Sequence, residues 1–172
     1  MRVLGVDPGT IVAGYGVIDS DSGQVKMIAC GIIKANQKLT PSERLSILYK
    51  GLLQVLKKYK PEVLAVEHPF VGANVSSALA IGRAQAVAML IAANNDIPVF
   101  EYSPAKVKQS VASYGASSKE QIQQMVRLHL GLTEIPEPFD AADALAVALC
   151  HINENHINYL ISEKPEKKRR TR

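Results

Sequence analysis

The first ten residues carry the feature that most constrains the fold, a short apolar run that ends on a carboxylate and a Pro-Gly pair. Val3 to Val6 is rich in β-branched residues between turn signals, which predicts a buried strand. Pro8 and Gly9 end that strand and turn the backbone sharply. Asp7 is therefore predicted to stand at the end of a core strand, facing a cleft, although taken alone it could equally be an ordinary turn residue.

The same pattern of strand, carboxylate and proline recurs once in the middle of the chain. Val63 to Val66 is a second short β-rich run, and it is followed by Glu67 and then by His68-Pro69. Each of these two strands thus delivers one acid at its end.

The remaining pattern predicts strands first and then strands alternating with helices. The predicted strands are Val3–Val6, Ala13–Asp19, Val25–Lys34, Val63–Val66 and Pro98–Phe100, with a hairpin turn at Ser20–Gly23. The predicted helices run from a capping box at Thr40–Glu43 to Tyr59, over Asn74–Asn94, from Ser103-Pro104 to Ala112, from a second capping box at Ser117–Glu120 to Leu130, and over Asp140–Asn158. This order favours an α/β fold with a mixed sheet, in which the first three strands form an antiparallel meander.

Charge is concentrated at the carboxyl terminus. The chain has 172 residues and a formal net charge of +4, and the last ten residues hold six basic and two acidic side chains. We therefore predict one globular domain over residues 1–160 and a basic, disordered tail over residues 161–172. The tail would either bind a polyanion or simply keep the chain soluble.

Two further features predict a cytoplasmic protein. Cys30 and Cys150 lie in apolar segments without metal-ligand spacing, as expected for reduced core residues. The apolar stretches, of which Ala86–Ala93 is an example, are too short to span a bilayer, and the chain starts directly with a strand rather than a leader.

Four carboxylates stand out when the chain is taken as a whole. Asp140 and Asp143 are three residues apart and share one face of the last helix, whose other residues are mostly apolar. Buried acids are costly unless a positive group pairs with them, and a divalent cation could pair with Asp7, Glu67, Asp140 and Asp143 together. Oxygen ligands favour Mg²⁺ or Mn²⁺, and the set suits two-metal phosphodiester hydrolysis. The alternative is that Asp140 only caps the helix and Asp143 is a surface residue, the second part of which the apolar neighbours disfavour.

In combination, these residues resemble RuvC-type Holliday junction endonucleases of the ribonuclease H-like superfamily. The resemblance covers nearly the whole globular part of the chain. Its motifs are Asp7-Pro8-Gly9-Thr10 with Gly14-Tyr15-Gly16, Glu67 with Phe70 and Asn74, Val107-Lys108-Gln109, Tyr114-Gly115, Lys119, and Asp140 to Ala146 with its two acids.

This resemblance implies a ribonuclease H-like five-stranded mixed sheet, with a three-strand antiparallel meander and two parallel strands, flanked by helices. It also implies a homodimer that nicks two strands of a four-way DNA junction symmetrically, leaving 5′-phosphate and 3′-hydroxyl ends. Two Mg²⁺ ions, replaceable by Mn²⁺, would be held by the four acids, and a branch-migration motor complex would be a partner.

By the same resemblance, three further residues contact DNA. Phe70 matches an aromatic that is placed against junction bases, which suits a loop aromatic able to stack on unpaired bases. Lys108 and Lys119 match basic residues near the scissile phosphate, and Lys119 lies in a first helical turn, where phosphate is favoured. The alternatives are a core role for Phe70 and solvated surface roles for the two lysines.

The chain departs from the family pattern at several positions. Ala73 and Ala116 stand where basic residues are common, Arg83 and Gln85 look exchanged, and His68-Pro69 is unusual beside the acid. These departures leave the acids intact and put DNA affinity and sequence preference in question. We hypothesise that the basic tail compensates for them.

Three other functions are compatible with parts of this pattern. An Asp-x-Gly-Thr turn after a first strand also occurs in the sugar kinase and actin group, which needs two such domains. A ribonuclease-like branch that processes RNA precursors opens with a similar strand. A catalytically silent binder of DNA structures would not need all four acids.

Overall fold

The computed structural model describes residues 1–68, 75–112 and 118–162, with side chains described as far as residue 156. Five strands and five helices occur in these ranges. The strands are β1 (Arg2–Asp7), β2 (Val12–Asp21), β3 (Gln24–Lys34), β4 (Val63–Glu67) and β5 (Val99–Tyr102). The helices are α1 (Pro41–Tyr59), α2 (Val75–Ala93), α3 (Pro104–Ala112), α4 (Lys119–His129) and α5 (Phe139–Ser162). Predictions about Phe70, Ala73, Tyr114-Gly115, Ala116 and the tail from residue 163 onward lie outside the described residues.

The strands form one mixed sheet in the order β3-β2-β1-β4-β5. The pairs β1–β2 and β2–β3 are antiparallel, whereas β1–β4 and β4–β5 are parallel. The predicted meander with two added parallel strands is therefore confirmed. Because β1 and β4 are parallel neighbours, their carboxyl ends meet at one edge of the sheet.

Two hydrophobic cores cover the two faces of the sheet. Along β1, Val3 packs with α3, α4 and α5, while Leu4 and Val6 pack with α1 and α2. This alternation is the two-residue period of a strand with both faces buried. It also fixes the direction of the next residue, Asp7, which must point to the α5 face.

Local signals place most element ends to within two residues. The exception is α5, which ends at Ser162 rather than Asn158 and therefore includes the first two residues of the predicted tail. The first capping box is confirmed, with Thr40 and Glu43 bonded reciprocally at the start of α1. The second box lies one residue later than predicted, because Ser118 is the cap and Gln121 its partner. The hairpin turn consists of Ser22 and Gly23 alone, both at positive φ, since a two-residue turn of this kind matches the twist of the strands.

Helix α2 differs from the expectation that no segment is long enough to span a membrane. By length and composition alone it meets that criterion, as do core helices of many other proteins. One of its faces packs on the sheet and on α1. The opposite face exposes Val75, Leu79 and Leu90 by 55–59%.

Candidate active site

The carboxyl ends of β1 and β4 place two carboxylates side by side. Val6 is in register with Val66, so Asp7 and Glu67 are the next residues on neighbouring parallel strands. Both strands bury the preceding residue on the α1/α2 face, and Asp7 and Glu67 therefore project onto the α5 face. Each is half-buried.

The first turns of α5 bring the other two acids to the same edge. Asp140 and Asp143 are both half-buried, between the fully buried Ala141, Ala142 and Ala144. Their charges reach Asp7 strongly enough to raise its pKa. The pair predicted from spacing is thus brought together with the strand acids.

Glycines in the sheet allow α5 to come this close. A Cβ atom at Gly14 would collide with the backbone carbonyl of Asp140, and one at Gly5 would collide with the carbonyl of Ala144. Gly14 is the direct partner of Asp7 across β1 and β2. Gly5 and Gly14 are therefore positioning residues, and sequence reasoning missed this role. The available signal was the pair Gly14 and Gly16, which are separated by one residue and so share one face of β2.

Two lysines from the α5 face stand near the acids. The Nζ atom of Lys119, the first residue of α4, lies 3.5 Å from Oδ2 of Asp143. Lys108 on α3 is close enough to lower the pKa of Glu67 and of Asp143. The Lys119 side chain is 65% exposed, so it remains accessible to a ligand.

The carboxylates at this edge are poorly compensated. Burial, together with the charges of Glu67, Asp143 and Asp140, raises the pKa of Asp7 to about 7. Burial and the charge of Asp143 raise the pKa of Glu67 to about 7. Burial also raises the pKa of Asp143, against the opposing effect of Lys119. Buried acids that repel one another in this way are typical of functional sites.

A divalent cation fits this donor set. All four side chains offer oxygen, which hard ions such as Mg²⁺ prefer. Among the described residues, the nearby lysines lower the pKa of Asp7 and Glu67 but leave both at about 7. Over residues 1–68, 75–112 and 118–162, no three acidic, histidine or cysteine side chains lie close enough together to hold a metal ion as they stand.

The three histidines on helices, His129, His151 and His156, do not extend the site. His151 on α5 is fully buried, and its Nδ1 lies 2.8 Å from the Tyr102 hydroxyl and its Nε2 2.9 Å from the Asn155 amide. Burial lowers its pKa, which favours the neutral ring. His151 is therefore a satisfied core residue. His129 bonds a backbone carbonyl, and His156 is exposed.

The structure explains one departure from the family pattern, the apparent exchange of Arg83 and Gln85. Gln85 is 7% exposed, and its amide nitrogen donates to Glu101 Oε2 at 2.6 Å. Arg83, by contrast, is exposed on α2. Gln85 therefore ties α2 to β5, and the charge at position 83 stays at the surface.

The ribonuclease H-like class is defined by a mixed sheet with this strand order, by acids at the adjacent ends of β1 and β4, and by a terminal helix that adds two more acids. Comparisons with known proteins narrow the class. Residues 3–151 match the model of the family described as crossover junction endodeoxyribonuclease RuvC. The chain belongs to this family.

Individual relatives agree with the family match. The chain is 51% identical over 163 residues to a crossover junction endodeoxyribonuclease RuvC of Dehalococcoides mccartyi, covering 95% of this chain and 98% of the relative. It is 48% identical over 151 residues to that of Chloroflexus aggregans, covering 88% and 92%. Thermus thermophilus RuvC, solved in complex with a Holliday junction substrate, superposes with a TM-score of 0.85 at 33% identity, covering 92% of this chain and 96% of that one. The fowlpox virus Holliday junction resolvase bound to junction DNA, at 15% identity with a TM-score of 0.60 and coverage of 88% and 99%, shares the fold.

Proposed function

We propose that this chain is a metal-dependent endonuclease that resolves four-way (Holliday) junctions by paired, symmetric nicks in DNA recombination and repair. The observation that carries the proposal is the convergence of four carboxylates from β1, β4 and α5 at one edge of the sheet. Support comes from the family match and from the similarity to Thermus thermophilus RuvC, which was solved in complex with a Holliday junction substrate.

Asp7, Glu67, Asp140 and Asp143 would hold two Mg²⁺ ions, with Mn²⁺ able to replace them. When bound, the ions supply charge neutralisation and a polarised water for phosphodiester hydrolysis. The acids themselves must be deprotonated to serve as ligands, and two of them have a pKa of about 7. Activity is therefore expected to rise with pH through that range.

The lysines are proposed to bind the phosphate that is cut. Lys119 lies at the start of α4, where the helix dipole also favours an anion, and its Nζ is near Asp143. Lys108 approaches the site from α3. Water would attack the phosphorus and the 3′-oxygen would leave, giving 5′-phosphate and 3′-hydroxyl ends. Phe70, outside the described residues, is proposed to stack on an unpaired junction base.

A homodimer is proposed because two symmetric nicks need two sites. The exposed face of α2 offers a stripe for it, since Val75, Leu79, Ala86 and Leu90 recur at helical spacing and are all exposed. Sedimentation velocity of wild type and Leu79→Glu tests this surface: the dimer should be lost in the variant, and an unchanged sedimentation coefficient would contradict the proposal.

The cellular setting is proposed from the family resemblance. The protein would act in the cytoplasm together with a branch-migration motor complex. The basic tail, residues 161–172, is proposed to add sequence-independent affinity for DNA. Removing residues 162–172 should then weaken junction binding and reduce its salt dependence, and an unchanged salt slope would contradict this role.

The activity is tested by incubating a labelled synthetic four-way junction with the protein in Mg²⁺ or in EDTA. The expected result is paired nicks in Mg²⁺ and intact strands in EDTA. Asp7→Asn should bind the junction without cutting it. Asp21→Asn is the matched control, because this exposed acid lies at the far end of β2.

Three outcomes would redirect the proposal. Binding without cutting in any divalent ion would indicate a structural DNA binder. Preferential cutting of RNA over junctions would indicate an RNA-processing enzyme. Neither binding nor cutting, together with stabilisation by nucleotide, would indicate a phosphotransferase.

A further inference from the structure

The carboxyl end of β3 reaches the same edge of the sheet as the acids. Asp7 pairs with Gly14, Gly14 pairs with Ile32, and Lys34 pairs with Val12. Directly paired residues on antiparallel strands share a face, so Ile32 lies on the α5 face in one row with Asp7. Lys34, two residues further along β3, lies on that same face, closer to the edge.

This end of the row is not covered by α5. Ile32 is 37% exposed and Ile11, in the β1–β2 connection, is 39% exposed, whereas apolar residues deeper in the strands are buried. A depression of about 590 Å³ opens here, lined by Ile11, Lys34, Ala35, Asn36 and Gln37. Exposed side chains therefore lie both at Ile32, in the row of Asp7, and at the depression beyond it at the end of β3.

The backbone of this depression is held in place. The Ala35 N–H donates to the Ile11 carbonyl at 2.8 Å, which ties the segment after β3 to the β1–β2 connection. The Lys38 N–H donates to Asn36 Oδ1 at 2.9 Å and forms a local turn. The wall is thus preformed, as a binding surface for an extended ligand requires.

Its polar side chains are available. Lys34 and Gln37 are both exposed, and neither makes a side-chain hydrogen bond or ion pair with any part of the chain that the structure describes. One offers a positive charge and the other an amide with donor and acceptor atoms. A phosphodiester strand carries the complementary groups, anionic phosphates and base edges.

The distance to the acids suits a neighbouring nucleotide. Two strand spacings of about 4.8 Å and two residues along a strand place the Lys34 Cα about 12 Å from that of Asp7. The rise per nucleotide in a DNA strand is about 3.4 Å. The span therefore corresponds to no more than about four nucleotides.

We propose that Lys34 and Gln37 form a subsite for the DNA strand that is being cut. Lys34 binds a backbone phosphate within about four nucleotides of the scissile bond, and Gln37 contacts the adjacent base edge. The strand then runs across the sheet edge from the carboxylates, over Ile32, to the end of β3. This inference rests on the proposed nuclease function and adds a determinant of cleavage-sequence preference to it.

Binding of a labelled junction in EDTA, measured by fluorescence anisotropy over a range of salt concentrations, tests the phosphate contact. Lys34→Gln should lower affinity about fivefold and reduce the slope of log affinity against log salt by about one phosphate contact. Lys34→Arg should restore the slope. Lys26→Gln is the matched control, because Lys26 is an exposed lysine at the other end of β3.

Neutral methylphosphonate groups locate the contact. Each phosphate within four nucleotides of the cut bond is replaced in turn. Replacement of one of them should weaken binding by wild type and leave binding by Lys34→Gln unchanged. For Gln37→Ala, the salt slope should stay unchanged. In Mg²⁺, its distribution of cut sites on junctions with randomised cores should change at one position by about fivefold.

The results separate this subsite from the function on which it rests. If wild type cuts junctions but Lys34→Gln matches Lys26→Gln in salt slope and methylphosphonate profile, the subsite is wrong and the nuclease function stands. If Gln37→Ala leaves the cut-site distribution unchanged, the base contact is wrong. If wild type neither binds nor cuts junctions, both proposals fall.

Discussion

The two ends of β1 differ in how well their charged side chains are paired. At its start, Arg2 donates from Nε and one terminal nitrogen to both oxygens of Asp19 at 2.7 Å, so each charge has its counterpart. At its end, Asp7 faces three other carboxylates, and burial and repulsion raise its pKa to about 7. The six residues of β1 thus connect a matched ion pair to an acidic cluster that its nearby lysines compensate only in part.

This difference supports the proposal that the Asp7 end of β1 holds the active site. A paired charge at an edge fixes register and contributes modestly to stability. An unpaired buried acid lowers the stability of the metal-free fold and is retained where a ligand supplies the missing charge. Changes at the Asp7 end should therefore affect activity strongly, and changes at the Arg2 end should affect only stability.

The largest effect is expected for Glu67→Gln, which removes one proposed ligand charge with little change of shape. Junction cleavage in Mg²⁺ should fall by about 10³-fold or more, since the site loses a ligand and the charge that attracts the cation. Single-turnover cleavage of a labelled junction measures this. Glu62→Gln is the control, because Glu62 immediately precedes the other end of β4, and this variant should cleave normally. Equal cleavage rates for the two variants would contradict the proposed role of Glu67.

Asp7→Asn should stabilise the metal-free protein at high pH. The folded pKa of Asp7, about 7, is above its unfolded value of about 3.9, so its contribution is favourable below pH 4 and is lost as pH rises through 7. In EDTA at pH 8 the variant should be more stable on the order of 2 kcal/mol, and near pH 4 the difference should vanish. Urea unfolding at both pH values decides this, with Asp21→Asn unchanged in each; a variant less stable than wild type at pH 8 would contradict it.

Lys119→Gln should have a smaller effect on catalysis. Lys119 lowers the pKa of Asp7, Glu67 and Asp143, so its removal raises all three and delays their deprotonation. Cleavage should fall about tenfold at pH 7, and the rising limb of the pH–rate profile should move to higher pH. Lys57→Gln on α1 serves as the control. A parallel fall at every pH would show that the lysine acts only on the phosphate.

The smallest effect is expected at the start of β1. Arg2 lowers the pKa of Asp19, so the pair stabilises the fold above the unfolded pKa and loses that contribution as pH falls through the folded value. Asp19→Asn should be less stable by under about 1 kcal/mol at pH 7, because both side chains are about one third exposed. The difference should disappear in acid, which is the opposite pH trend to Asp7→Asn. Poor junction cleavage by Asp19→Asn would contradict the expectation that changes at the Arg2 end of β1 affect only stability.

Much of this arrangement could be predicted from the sequence because its signals are local. The apolar runs before Asp7 and Glu67 specified buried strands, and the spacing of Asp140 and Asp143 specified one helix face. Parallel neighbours then bring strand ends together. The four acids were accordingly predicted as a set before their positions were known.

The remainder depends on contacts that a single sequence does not display. The role of Gly14 requires knowing that the Asp140 carbonyl packs on it. The second capping box lies one residue later than the pattern predicts, since adjacent serines both satisfy the pattern and Ser118 is the cap in the structure. The depression at Lys34 depends on strand register, which local propensity leaves open.

The acids at the Asp7 end are expected to be partly protonated until a cation takes the place of their protons. Calorimetric titration of the protein with Mg²⁺ at pH 6.5, in buffers of different ionisation enthalpy, measures the protons released on binding. We predict release of about one proton per chain at pH 6.5, little release at pH 9, and a smaller value for Asp7→Asn at pH 6.5. Binding of Mg²⁺ without proton release at pH 6.5, or with the same release in Asp7→Asn, would contradict the account.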